Sequence, residues 1–323
     1  MKLEELAQSL RHFEGVARKR AIGSLVKWFQ GDTDAANFGE DAAIIERGEE
    51  SLLISADGIW SRLMDADPEW AGYCSILVNI HDIIAMGGTP LAMVDVFSAS
   101  SNEVRNRVLA GMSEAVQKFG VPIVGGHIHP DTKYSALDVA IIGTVKSDSV
   151  IYSCRADEGQ DIVAAVDLDG RVHPSCTLCW DTTTMKHPKI LRQQLQTMKR
   201  IGEEHLVTSG KDISNPGMIG TLGMLLEVSE AGGTVELERV PIPDGIDMDL
   251  WLRMYPGMGF VLTAYPENVQ EITRIFEEVG MVAVKIGEIT ATRKLEITYN
   301  AETAVVFDFD QHGVMGIGAV SCK

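Results

Sequence analysis

Four aspartates stand at the edges of apolar segments. They are Asp41 in Phe38-Gly-Glu-Asp-Ala-Ala-Ile-Ile45, Asp57 after Leu53-Ile-Ser-Ala56, Asp82 in Val78-Asn-Ile-His-Asp82, and Asp212 in Gly210-Lys-Asp-Ile-Ser-Asn215. A carboxylate so placed must be hydrogen-bonded, paired or bound to a cation. Magnesium suits such groups: it takes oxygen ligands, uses one or two carboxylates and completes its shell with water and phosphate oxygens. Carboxylates gathered around a phosphate would repel it unless a divalent ion lay between them. Taken singly, each aspartate could instead cap a turn or a helix.

The surroundings of Asp82 and Asp212 add chemistry. At about 100° per residue, Ser75, Asn79, Asp82 and Met86 share one helical arc beside Ile76, Ile80, Ile83 and Ile84. Asn79 and Asp82 are surface neighbours three residues apart and can act together, although a solvated helix edge carries the same pattern. In Ser214-Asn-Pro-Gly-Met-Ile-Gly-Thr-Leu-Gly223, Asn215 suits a helix N-cap and Pro216 the first helical position. Glycines at 217, 220 and 223 would leave the helix start bare for phosphate, or would allow close helix packing. No Gly-x-x-x-x-Gly-Lys-Ser/Thr loop occurs.

Gly125-Gly-His-Ile-His-Pro-Asp131 follows a strand-like run. His127 and His129 point the same way on an extended segment, so they could share a metal with Asp131 as third ligand, bind phosphate, or transfer protons. Gly125 and Gly126 would let backbone approach a ligand closely. Cys176 and Cys179 form a lone Cys-x-x-Cys, which reads as packed thiols ahead of a zinc site with His173 or His187. Cys322, next to the last residue, reads as tail chemistry ahead of a mobile nucleophile.

The elements that must position these groups fall into two units, residues 1–150 and 151–323. Leu3, Leu6, Leu10 and Phe13 predict an opening amphipathic helix, followed by a Gly31–Glu40 loop. Strands are expected at 42–45, 52–56, 92–97, 123–124 and 137–145, with helices from 72 to 86 and after a Ser100/Glu103 capping box. The second unit carries strands near 162–166, 235–238, 260–264, 282–286, 295–299 and 304–309, and helices around 189–200, 218–230 and 267–279. This order suits an α+β architecture.

Composition narrows the class. With 45% hydrophobic and 23% charged residues the chain is globular rather than disordered. A net charge of −18 repels nucleic acid and anionic membrane surfaces alike. No stretch approaches the roughly 18 apolar residues of a membrane span, Met1–Ala7 lacks the core of a signal peptide, and five irregularly spaced cysteines do not form a secreted framework. A reducing cytoplasm is the expected compartment.

In order and spacing, these motifs resemble the superfamily of aminoimidazole ribonucleotide (AIR) synthetase, thiamine-monophosphate kinase, selenophosphate synthetase and the ATP-dependent hydrogenase maturation factor. Gly39-Glu-Asp-Ala-Ala43 resembles its Gly-Asp-Asp-Ala box, Ser55-Ala-Asp-Gly58 its aspartate strand, and Val78 to Pro90 running into Val94-Asp-Val-Phe97 its helix–strand signature. Gly125-Gly-His127 resembles its Gly-Gly-polar turn, and Lys211 to Gly220 its C-terminal helix signature. Within the superfamily the chain is most similar to the uncharacterised methanogenesis marker protein 2 group, through Ala56-Asp-Gly-Ile-Trp60, Val124 to Asp131, Trp180-Asp-Thr-Thr-Thr-Met185 and Met254 to Phe260.

The resemblance implies an AIR synthetase-like two-domain fold. Its N-terminal sheet-plus-helix domain would join a second copy's in a dimeric barrel, and its C-terminal domain would be α/β. It also implies ATP between the domains, Asp41, Asp57, Asp82 and Asp212 holding magnesium and the triphosphate, and Asn79, Gly125 and Gly126 lining the groove. Departures separate the chain from particular relatives. Asn215 stands where the kinases have a second aspartate, no cysteine precedes Cys74, Lys323 follows Cys322, and Gly125-Gly-His-Ile replaces Gly-Gly-Glu-Thr. The expected function is magnesium- and ATP-dependent phosphorylation or amide-oxygen activation of a small molecule. Asn215, Gly217 and Gly220 would contact phosphate, and His127 or His129 would transfer protons. The rival readings are a non-catalytic ATP-binding assembly factor and a zinc hydrolase built on His127 and His129.

Overall fold

The structure, a computed structural model, describes residues 2–29, 38–130, 132–255 and 257–317. Asp131, Cys322 and most of the Gly31–Glu40 loop lie outside the described residues.

The first half contains α1 (Leu3–Arg11), α2 (Glu14–Lys19), α3 (Ala21–Phe29), β1 (Ala43–Ile45), β2 (Glu50–Gly58), α4 (Ser61–Ala66), α5 (Pro68–Ala85), β3 (Thr89–Ser98), α6 (Asn102–Phe119), β4 (Ile123–His129) and β5 (Ala136–Lys146). Its sheet runs β1-β2-β5-β3-β4, antiparallel except for the β3–β4 pair. Alternation along each strand sends Leu53, Met93, Phe97, Val139 and Ile141 to the inner face, where all are buried beneath α5 and α6.

The second half contains β6 (Asp161–Val166), β7 (Arg171–His173), β8 (Cys176–Asp181), α7 (Pro188–Glu203), β9 (Ser209–Asp212), α8 (Gly217–Val228), β10 (Gly232–Glu236), α9 (Met248–Trp251), β11 (Gly259–Ala264), α10 (Val269–Glu277), β12 (Val282–Thr290), β13 (Lys294–Tyr299) and β14 (Glu302–Asp308). Its sheet runs β14-β13-β10-β12-β6-β11-β9. The apolar stripes of α7 and α10 share a core with the N-terminal helices, while α8 packs in a second core that includes α1. The architecture is α+β, as expected.

The opening helix forms as expected, and two other local expectations need correction. The opening helix covers the C-terminal sheet: Leu3, Leu6 and Leu10 join the second core, and Arg11 Nε and Nη2 donate to the Val306 and Val305 carbonyls at 2.6 Å. The cap of α6 is Ser101, which accepts from the Val104 amide at 3.2 Å, because Ser100 is engaged with Ser135. α8 begins at Gly217, with Pro216 rather than Asn215 at the cap position.

Candidate active site

The N-terminal half of the site follows from one strand face and one helix. Ser55 and Asp57 share the inner face of β2 with Leu53, and that face meets α5. Asp67 caps α5 by accepting from the Trp70 amide at 3.3 Å, with Pro68 in the first turn. Both Asn79 and Asp82 are buried, so they do not form a solvated helix edge. Ser55 Oγ donates to Asp82 Oδ2 at 2.5 Å. The Asp57 N–H donates to Asn79 Oδ1 at 3.3 Å, while Asn79 Nδ2 donates to the Ser75 carbonyl at 2.8 Å. Asn79 therefore positions β2 against α5 from beneath rather than lining the groove.

The C-terminal half comes from edge strand β9. Lys211 Nζ forms an ion pair with Asp41 and donates to the Gly39 carbonyl at 3.0 Å and to Ser153 Oγ at 3.3 Å. The Asp212 N–H donates to Asp41 Oδ2 at 3.4 Å. Glu40 accepts from the Ser153 amide at 2.7 Å and its hydroxyl at 2.8 Å. Above this seam lies α2. A Cβ at Gly15 would stand 1.9 Å from the Asn215 carbonyl oxygen, so only glycine lets α2 settle there. That approach brings Arg18 and Lys19 to the cavity wall.

The resulting cavity has a volume of about 500 Å³. Asp41, Asp57, Asp82, Lys211, Asp212 and Asn215 line it, and Trp60, Leu63, Cys74, Val78 and Tyr255 give it an apolar wall. Burial, then the charges of Asp57, Asp212 and Asp41, hold Asp82 far above the ordinary carboxylate range. Burial and Asp41 push Asp212 up to about 8 against the pull of Lys211 and Lys19. Asp57 is raised by the surrounding protein, although its residue remains open to solvent, and Lys19 partly offsets the rise. Burial disfavours the Lys211 charge, but Asp41 and Glu40 outweigh it.

This donor set fits magnesium. All its members are hard oxygen donors whose mutual repulsion a divalent charge would relieve. Among the described residues no three His, Cys, Asp or Glu side chains are grouped closely enough to hold an ion unaided. An ion that needs one or two carboxylates and takes the rest from water and phosphate matches that spacing; an all-protein cage does not.

The other predicted residues lie elsewhere. Gly125, Gly126, His127 and His129 are on β4, the exposed edge strand, and do not line the cavity. The two imidazoles are ring neighbours, with centroids 4.6 Å apart. Gly217 and Gly220 are packing glycines. Added Cβ atoms would meet the Leu252 carbonyl at 2.2 Å and Pro216 Cβ at 2.5 Å, so of the predicted phosphate contacts only Asn215 reaches the cavity. Cys176 and Cys179 are joined in a disulfide rather than standing as separate thiols.

Sequence reasoning missed Lys211, Lys19, Ser55 and His81, all of which line the cavity. Lys211 could have been noticed as a lysine directly beside Asp212. His81 is buried, its Nε2 has no hydrogen-bond partner among the described residues, and burial lowers its pKa to about 4.

The family model for the AIR synthase related protein N-terminal domain matches residues 39–145, and that for its C-terminal domain matches 159–300. The chain belongs to the AIR synthase-related family. It is 47% identical to an uncharacterised protein of Methanocaldococcus jannaschii, over 98% of this chain and 100% of that one. Its fold is similar to that of Thermotoga maritima PurL complexed with ADP, with a TM-score of 0.75, 18% identity and 99% of this chain covered. The chain spans about half the length of that PurL, 52%. It is also similar to AaThiL complexed with AMPPCP and TMP, with a TM-score of 0.67, 17% identity and coverage of 88% of this chain and 95% of that one. Among the described residues no helix is long and apolar enough to cross a membrane.

Proposed function

We propose that the chain is a magnesium- and ATP-dependent enzyme that phosphorylates, or activates through an amide-type oxygen, a small-molecule acceptor. The observation that carries this reading is that Asp57, Asp82 and Asp212, from three elements and both domains, line a single cavity in which burial raises all three carboxyls and the charges of Asp57 and Asp212 raise Asp82 further. The cations in its wall, Arg18, Lys19 and Lys211, do not balance its carboxylates. One or two of Asp57, Asp82 and Asp212 would bind the ion directly and the rest through water, and the ion would neutralise charge on the transferring phosphoryl group. Asp41 is committed to Lys211, and this pair fixes the seam between the domains. Lys19 and Arg18 offer the remaining positive charge to the polyphosphate, and Asn215 offers an amide. The nucleotides bound to related folds support ATP as the donor.

The outer face of the N-terminal sheet supports a homodimer. Ile54, Val94 and Val96 are 39%, 44% and 48% exposed on neighbouring strands, with Ile142 and Ala140 between them. Pairing with Val96 puts His127 on this face, where a second copy would cover it.

The test is to incubate the purified protein with magnesium, ATP and a small-molecule cell extract, resolving products by mass spectrometry. ADP or AMP with a new phosphorylated or condensed product is expected. Nucleotide binding without turnover against any fraction would favour the assembly-factor reading.

A further inference from the structure

β8 does not run straight beside β7. Its partner advances one residue, from Val172 to His173, while β8 jumps from Trp180 to Cys176. Residues 177–179 therefore leave the ladder, and the Cα atoms of Cys176 and Cys179 approach to 5.3 Å, where a straight strand would hold them about 10 Å apart. Their sulfurs are bonded. The bulge turns the Leu178 carbonyl to the Tyr255 N–H, which donates to it at 2.7 Å. Cys176, Cys179 and Tyr255 all line the cavity that holds Asp82 and Asp212. The hairpin is anchored to the N-terminal half, with His173 stacked on Trp70 at 4.2 Å and Ser175 Oγ donating to Asp67 at 3.0 Å.

We propose that Cys176–Cys179 is a redox-active dithiol–disulfide site in the cavity wall, exchanging with low-molecular-weight thiols and disulfides. Cys176 is partly exposed and Cys179 buried, so an incoming thiolate meets the Cys176 sulfur first. It bonds to that sulfur as the protein S–S bond breaks, and Cys179 leaves as a thiolate that takes a proton. A second thiol then attacks the mixed disulfide, releasing the Cys176 thiol and a small disulfide. The protein sulfurs gain two electrons and two protons from two thiols, and the reverse reaction restores the bond.

The ring spans residues only three apart in sequence, so chain entropy adds little to the bond's persistence. In a reducing compartment, a disulfide is usually a transient redox or catalytic group. Reduction releases the bulge, and with it the Leu178 carbonyl that holds Tyr255 at the cavity. This inference rests on the hairpin and stands apart from the nucleotide reading.

The test equilibrates the full chain in glutathione buffers from fully reducing to oxidising, quenches in acid and alkylates before peptide mass spectrometry. Hydrogen exchange of the Tyr255 amide is followed in the same samples. The peptide carrying both cysteines should pass between two alkylated thiols and the bonded form. Tyr255 should exchange about fivefold faster in the dithiol form, the factor equivalent to one typical net hydrogen bond. The variant Cys176→Ser/Cys179→Ser should keep the faster rate in every buffer; if it does not fold, the wild-type series decides alone. Two thiols alkylated in every buffer, a bond that resists dithiothreitol in the folded protein, or unchanged Tyr255 exchange would each overturn the proposal.

Discussion

Lys211, on the edge strand of the C-terminal sheet, is paired with Asp41 from the N-terminal half, and their side chains are only 2% and 7% exposed. The pair lies where both domains meet the cavity. Replacing Lys211 by Met leaves Asp41 and Glu40 buried without that cation. Loss of one partner of a buried pair costs about 3–5 kcal/mol. Urea unfolding should show a loss of that size, and an unchanged midpoint and slope would mean that the seam does not depend on this charge.

Asp82→Asn should move stability and function in opposite directions. It removes a carboxyl raised by burial and by three neighbouring aspartates, so the metal-free protein should be stabilised at pH 8. ATP turnover should fall by about 100-fold or more. A variant that loses stability and retains turnover would give Asp82 a structural role only.

The buried imidazole of His81 predicts sensitivity to acid. It stays neutral in the folded chain down to about 4, whereas the unfolded chain protonates its histidines near 6.5. Between those values the unfolded state binds the extra proton, so stability falls as pH falls, by about 2 kcal/mol at pH 5. Urea unfolding at pH 7.5 and pH 5 should show this component in the wild type and not in His81→Gln. The same pH dependence in both proteins would contradict it.

Val96→Glu puts a charge in the outer sheet face, and a homodimer built on that face should dissociate. Sedimentation should show the wild type dimeric and the variant monomeric. A monomeric wild type would contradict the homodimer, and a dimeric variant would move the interface elsewhere.

How much of this was legible in the sequence depended on how far away each residue's partner lies. Asp57 and Asp82 could be read because apolar flanks oblige a carboxylate there to find a partner. Lys211 sat beside Asp212 in plain view, yet its meaning lies in Asp41, 170 residues away. The stripe Leu3, Leu6, Leu10 announced a helix but not that the C-terminal sheet would cover it. Gly217 and Gly220 read as a phosphate cradle ahead of packing glycines, and the Leu252 carbonyl and Pro216 reverse that order. His127 and His129 attracted attention by their spacing, which places them on a common face but says nothing of what that face meets.

The most direct measurement is calorimetric titration of a non-hydrolysable ATP analogue into the protein with magnesium, with EDTA, and into Asp57→Asn, Asp82→Asn and Asp212→Asn. Binding should need magnesium, release protons as the raised carboxyls ionise, and weaken in all three variants. Equal affinity in EDTA, or full affinity in all three variants, would contradict a site in which these carboxylates hold the ion that carries the nucleotide.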